Sequence, residues 1–275
     1  MPSAVGIIPA RYGSTRFPGK PLAPLDGKPL IQHVWERARR ARRLHAVVVA
    51  TDDERIRATV VAFGGEVVMT GSDHRTGTDR VAEAVRLIEA RGEAIRIVVN
   101  IQGDEPMLDP AALDALVAAI EADPACGYAT LAEPFGSPDE ILDPNSCKVV
   151  TDAAGRALYF SRSPIPFLRK SGPGGIAALG VALAGRPEPV AGYHRHVGIY
   201  AFRRESLDDF ARLPAGRLEA MEGLEQLRIL EAGRVMRVIV SPHVTMDVDT
   251  PEDLEMVRIR LLEKRTFEKT REGRR

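Results

Sequence analysis

The sequence predicts an α/β fold on three observations. Short apolar runs at 5–8, 46–50, 66–69 and 95–101 read as buried strands, and they alternate with stretches of helical periodicity. The length, 275 residues, suits one large α/β domain or a domain with a smaller lobe. The first apolar run stops at Pro9 and reaches a helix through a loop holding Arg11, Gly13, Arg16, Gly19 and Lys20. Glycines let backbone N–H groups approach an anion, and the cations neutralise it, so this corner has the layout of a phosphate site.

That opening loop matches neither familiar phosphate motif. Five residues separate Gly13 from Gly19 where the P-loop has four, Lys20 is followed by Pro21, and no G-x-G-x-x-G is present. It is a different triphosphate loop or a turn-rich surface corner whose cations face water. Three cations, two glycines and two prolines within a dozen residues favour the first. Leu30, Ile31, Val34, Trp35 and Ala38 then predict an amphipathic helix over 30–43, with Trp35 in the core. After the strand at 46–50, Thr51-Asp52-Asp53-Glu54 opens the next helix. Asp52 stands at a strand's carboxyl end, where α/β sheets keep their sites, but an N-cap role accounts for it. Gly64-Gly65 closes that helix, and Asp73–Arg80 is a polar loop before a helix over 81–90, with Thr76 or Thr78 as cap.

The strand at 95–101 ends in Gln102-Gly103-Asp104-Glu105-Pro106. A carboxylate placed there, after a glycine, reaches a crevice freely. Mg²⁺ on a triphosphate takes only one or two protein carboxylates, and Asp104 fits that role. A helix follows over 111–121. From 127 the character changes to short strands at 128–132, 147–150 and 157–160, separated by loops rich in Pro, Asp and Ser. Asp152-Ala153-Ala154-Gly155 predicts a hairpin between the last two. The expected organisation is a nucleotide-binding domain of 1–126 and 191–262 with an inserted smaller lobe, 127–190, carrying a mobile loop at 169–189. Residues 263–275 are a charged, frayed tail. His194 and His196 share a strand face, but no third ligand accompanies them. Residues 218–232 read as one helix with an acidic face. Thr250 caps a helix over 251–262, with Pro251 in its first turn, and this cap leaves Asp249 unexplained.

Composition narrows the partners. Thirty-eight basic residues balance thirty-eight acidic ones, so no global field points to nucleic acid or an anionic membrane. No apolar run approaches spanning length, and the run at 4–8 is too short for a signal peptide. Cys126 and Cys147 make no C-x-x-C or zinc pattern and read as reduced thiols of a cytoplasmic protein.

Ile8-Pro9-Ala10-Arg11 with Pro18-Gly19-Lys20-Pro21 resembles the signature loop of the sugar-activating cytidylyltransferases, which include the 3-deoxy-manno-octulosonate (Kdo) and sialic acid enzymes. Asp73–Arg80, Gln102–Pro106, Tyr159-Phe160-Ser161-Arg162, Arg195–Tyr200, Leu224–Arg228 and Val248–Leu254 extend the likeness over nearly the whole chain, towards the Kdo branch. The resemblance implies a doubly wound, mostly parallel sheet of Rossmann-like nucleotidyltransferase type with a smaller mixed α/β lobe. It implies CTP and Kdo as substrates, Mg²⁺ as cofactor, a homodimer, and a product used for lipopolysaccharide. Pro9, Ala10, Arg11, Gly13, Ser14, Arg16 and Lys20 would hold the triphosphate, Arg11 and Lys20 acting in catalysis, and Arg75 and Gly77 would read the base. Gln102, Arg162, His196, Tyr200, Glu225 and Gln226 would hold the sugar, with a structural role open for His196. Asp104 and Asp249 each stand two residues before a proline at a strand or loop end. In a doubly wound sheet such ends converge, which predicts that the two carboxylates share one Mg²⁺. The alternatives are a sialic-acid or 8-amino-Kdo enzyme and a GT-A-like glycosyltransferase.

Overall fold

The computed structural model describes residues 3–14, 16–169, 175–184, 190 and 192–272. Its strands, in chain order, are β1 Ser3–Ala10, β2 Pro24–Leu25, β3 Lys28–Pro29, β4 Leu44–Thr51, β5 Glu66–Met69, β6 Ile95–Asn100, β7 Tyr128–Pro134, β8 Lys148–Thr151, β9 Ala157–Ser161, β10 His194–Arg203 and β11 Met236–Val240. The chain forms two compact units.

One unit comprises Val5–Glu93, Asn100–Pro110 and the chain from Thr245 onward. Its strands run in the order β1-β4-β5, with β4 and β5 parallel and Val49 opposite Val67. Ile7, Ile8, Val49 and Ala50 are completely buried, as unbroken apolar runs require when a strand is covered on both faces. Helix Leu30–Ala38 stops before the cluster Arg39, Arg40, Arg42 and Arg43, shorter than the periodicity suggested, because like charges one turn apart repel. The N-cap of helix Glu54–Ala62 is Asp53, whose carboxylate accepts from the Arg55 and Ile56 amides; Asp52 instead pairs with Arg80 at 3.3 Å, which corrects the expected cap. Thr76 and Asp79 form a capping box at helix Gly77–Glu89. The last helix runs Pro251–Glu272, well into the stretch expected to fray. Ala23, Leu25, Leu30, Val248, Leu254 and Val257 pack together, so the segment after the cationic loop rests on the start of that last helix.

The other unit comprises Ala94–Val99 and Ala111–Val244, with the first residues of the chain. Its strand order is β11-β7-β10-β6; β11 is parallel and β10 antiparallel to β7. The predicted hairpin is β8–β9, and β8 also pairs with β10. Because β10 carries both β7 and β8, residues 127–190 do not separate from 191–244 as the sequence suggested. Within the stretch expected as a mobile loop, Gly175–Ala184 is a helix whose Leu179 and Leu183 pack on Phe135, Ile141 and Tyr193. Residues 170–174 and 185–189 of that stretch lie outside the described residues. The single helix expected over 218–232 is two, Arg217–Glu222 and Leu227–Glu231, broken at Gly223, whose φ of 65° closes the first. No helix among the described residues is long and apolar enough to cross a membrane.

Candidate active site

In the unit built on β1-β4-β5, a cavity of about 310 Å³ collects most of the predicted nucleotide residues. Pro9 and Ala10 end β1, and Arg11, Ser14, Arg16 and Lys20 follow on the loop. Arg75 and Gly77 line it from the start of helix Gly77–Glu89, and Gln102 and Asp104 from the end of β6. Asp249 completes it. Gly13 is not among the lining residues, and a side chain built there would meet open space. The glycine the loop's shape requires is Gly19, at φ 73°, with its amide bonded to the Tyr12 carbonyl at 3.0 Å. A Cβ at Gly19 would lie 3.1 Å from the Tyr12 ring. The Arg55 guanidinium stacks 3.3 Å from the centre of the same Tyr12 ring and is itself held by Asp53.

The two predicted metal carboxylates converge. The Val248 amide donates to the Asp104 carbonyl at 2.9 Å, which fixes their segments side by side. Asp253 accepts from the Asp249 and Thr250 amides and receives the Thr250 cap in return, so Asp249 has a fixed backbone and an unengaged role in capping. Its carboxylate turns to the loop instead. Lys20 Nζ stands 2.7 Å from Asp104 Oδ2 and 3.3 Å from Asp249 Oδ1, and Arg16 Nη1 stands 2.9 Å from Asp249 Oδ2. Burial pulls the Lys20 ammonium down, but Asp104 and then Asp249 outweigh it and hold it above its ordinary value. Burial raises the Asp104 carboxyl, against the pull of Lys20. Two carboxylates converging on one cation form an all-oxygen donor set that suits Mg²⁺, with phosphate and water supplying its other ligands. Among the described residues no group of three metal-ligating side chains occurs, and this pair is what they would bring to the ion.

Arg80 also lines the cavity and was not singled out in the sequence. It is buried, donates to Thr70 Oγ1 at 2.6 Å and to the Gly71 carbonyl at 3.2 Å, and pairs with Asp52. The legible signal was a cation in the first turn of a helix, where the dipole disfavours it unless an acid answers.

The predicted sugar residues lie in the other unit, except Gln102. On β10 a bulge between Val197 and Tyr200 re-aims the strand beside Thr130. Thr130 Oγ1 donates to the Ile199 carbonyl at 2.9 Å, so it accepts from His196 Nε2, also at 2.9 Å. His196 Nδ1 is then an acceptor, 3.4 Å from Gln226 Nε2, while Gln226 Oε1 accepts the Tyr200 hydroxyl at 3.2 Å. Burial, and secondarily Arg195, push the His196 imidazole down to about 3, so it is neutral at physiological pH. Gln226 is buried where the sequence suggested a solvated face, because the break at Gly223 turns the chain inward; Glu225 precedes it, half-buried. Arg162 is held by backbone: Nε donates to the Glu222 carbonyl at 2.8 Å and Nη1 to the Pro144 carbonyl at 3.1 Å.

The profile of the Cytidylyltransferase family matches residues 5–239. The chain belongs to the cytidylyltransferase family. Within the family, a 3-deoxy-manno-octulosonate cytidylyltransferase of Syntrophobacter fumaroxidans is 52% identical over 92% of this chain and 94% of its own length. One from Geobacter sulfurreducens is 48% identical over 91% and 96%. An 8-amino-3,8-dideoxy-manno-octulosonate cytidylyltransferase of Shewanella halifaxensis is 46% identical over 93% and 97%. Among solved structures, a CMP:2-keto-3-deoxy-manno-octonic acid synthetase complexed with CTP superimposes with a TM-score of 0.83 at 42% identity, covering 95% of this chain and 99% of that one. The cytidylyltransferase fold here is thus the predicted one, α/β with a central, mostly parallel sheet flanked by helices. Asp249 lies beyond the matched residues of the family profile, and its place in the site rests on its contacts with Lys20 and Arg16.

Proposed function

We propose that this chain transfers CMP from CTP to Kdo and releases pyrophosphate, activating the sugar acid for lipopolysaccharide synthesis. The observation that carries the reading is the convergence of Lys20, Asp104 and Asp249 in a cavity entered by Arg11 and Arg16. In-line displacement at a phosphorus asks little covalent work of the protein; positioning and charge neutralisation do most of it. Arg11 and Arg16 hold the phosphates, Lys20 follows the charge that develops on the departing pyrophosphate, and Arg75 and Gly77 receive the base. When bound at Asp104 and Asp249, Mg²⁺ would neutralise phosphate charge and favour the attacking hydroxyl as its alkoxide. Arg162 answers the sugar carboxylate, and the neutral chain His196–Gln226–Tyr200, with Glu225, answers its hydroxyls.

The test is pyrophosphate release from CTP, expected only when Kdo and Mg²⁺ are both present. Release without the sugar acid, or a preference for sialic acid, overturns the reading. A second reading, 8-amino-Kdo as the acceptor, is favoured by the 46% identity to the Shewanella halifaxensis enzyme, and the same assay with both sugars separates the two. CTP supply makes the cytoplasm the working compartment. The chain acts as a homodimer, and sedimentation should give twice its 30.0 kDa.

A further inference from the structure

We propose that Lys148 is a positioning residue for the sugar acid, its ammonium clamping the two backbone segments that aim the Arg162 guanidinium. The inference rests on the reading of Arg162 given above. Lys148, on β8, has no exposed surface. Its Nζ donates to three backbone carbonyls: Asp143 at 2.6 Å, Ser146 at 2.6 Å and Arg162 at 2.7 Å. An ammonium has three donors, and this cage uses all of them. Its acceptors are neutral carbonyls. Burying a charge among them costs far more than burying an apolar side chain of the same length would, so simple packing does not account for a lysine here.

The cage reaches Arg162 from two sides. Lys148 holds the Arg162 carbonyl directly. It also holds both ends of the turn at 143–146, whose Pro144 carbonyl accepts from Arg162 Nη1. The third support is Glu222, which takes the Arg162 amide at 2.9 Å and the Ser161 hydroxyl at 2.7 Å, while its carbonyl accepts from Arg162 Nε. An arginine has many rotamers to lose on binding, and a guanidinium already fixed by carbonyls loses fewer. Without Lys148 the Pro144 turn and the Arg162 backbone part company, and that preorganisation goes.

Lys148→Met keeps the stem and removes the clamp. In steady-state assays it should raise KM for Kdo about tenfold, with KM for CTP unchanged and kcat at saturating Kdo within about twofold. A merely structural lysine would lower the melting temperature and the yield but leave the sugar KM of the folded fraction unchanged, and that result overturns the proposal. Asp143→Ala provides a second variant if the first does not fold. The Asp143 carboxylate accepts from the Asn145 amide at 2.8 Å near the surface and also favours the Lys148 ammonium through its charge, so its loss loosens the turn while leaving the lysine and its carbonyl partners in place. It should raise the same constant about threefold, and an unchanged value in both folded variants counts against the clamp. Arg162→Ala is measured alongside. If it leaves KM for Kdo unchanged, the reading of Arg162 falls and takes the clamp with it; if it raises KM while Lys148→Met and Asp143→Ala do not, the clamp alone falls.

Discussion

One ammonium, on Lys20, serves two carboxylates that lie 84 and 229 residues away in the chain. Replacing it with methionine should weaken CTP binding and lower turnover by about 10²-fold, turnover suffering more because the charge it answers grows towards the transition state. Equal kinetics across a CTP titration would show that the charge is idle. The same substitution has a stability signature. The Lys20 pKa is raised above 10.5, so the stabilisation from its pairing is fully present below that value and is lost as pH climbs through the raised one. The gap in melting temperature between the protein and Lys20→Met should therefore hold from pH 7 to 10 and narrow above it. A gap that ignores pH up to 12 rules the pairing out as its source. Asp249→Asn should keep the fold and most CTP affinity and lose turnover. Combined with Asp104→Asn it should be hardly worse than either alone, since groups acting as a unit are non-additive; additive losses would return Asp249 to a structural role.

Two glycines in one loop separate shape from sequence pattern. Gly19 sits at φ 73° against Tyr12, whereas a side chain at Gly13 meets nothing within 4 Å. Gly19→Ala should therefore cost about 1–2 kcal/mol of strain and raise KM for CTP. Gly13→Ala should leave both nearly unchanged. The reverse order, read from melting curves and CTP titrations, would place the loop's hinge at Gly13. Sequence reasoning weighted both glycines equally because it saw spacing, and only the backbone angle distinguishes them. The same limit explains the helix expected over 218–232. Its apolar and acidic positions suit one helix, but Gly223 in the left-handed region ends it and carries Gln226 into the interior. By contrast the cap at Thr250 was legible, because a capping box is written within four residues, and so was the spare carboxylate it leaves at Asp249.

For the whole molecule, formal charge is zero and the isoelectric point is about 7.0, so no long-range field draws in an anionic nucleotide. KM for CTP should change less than about threefold between 50 and 150 mM KCl; a tenfold rise would indicate steering over distance. What sequence spacing revealed was the order of strands and helices and the residues at strand ends, since each is a local pattern. What it did not reveal depends on partners far apart: Arg162 answered by Glu222 sixty residues on, Asp52 by Arg80, and β10 holding β7 and β8 in one unit. The cluster at Lys20 has one more consequence. Lys20 and Arg16 set two positive charges against the two negative charges of Asp104 and Asp249, so this cluster of four is electrically balanced before any substrate enters, and Arg11 and Arg75 add positive charge to the pocket around it. Asp104 and Asp249 thus offer a bare divalent ion no surplus negative charge, only an exchange with a cation already in place. A nucleotide arriving with its own metal lets Lys20 and Arg16 trade carboxylate partners for phosphate oxygens in the same event, which makes loading a swap of partners. Titrating the free protein with Mn²⁺ should accordingly give little binding until CTP is added, and Lys20→Met should take up the ion without it.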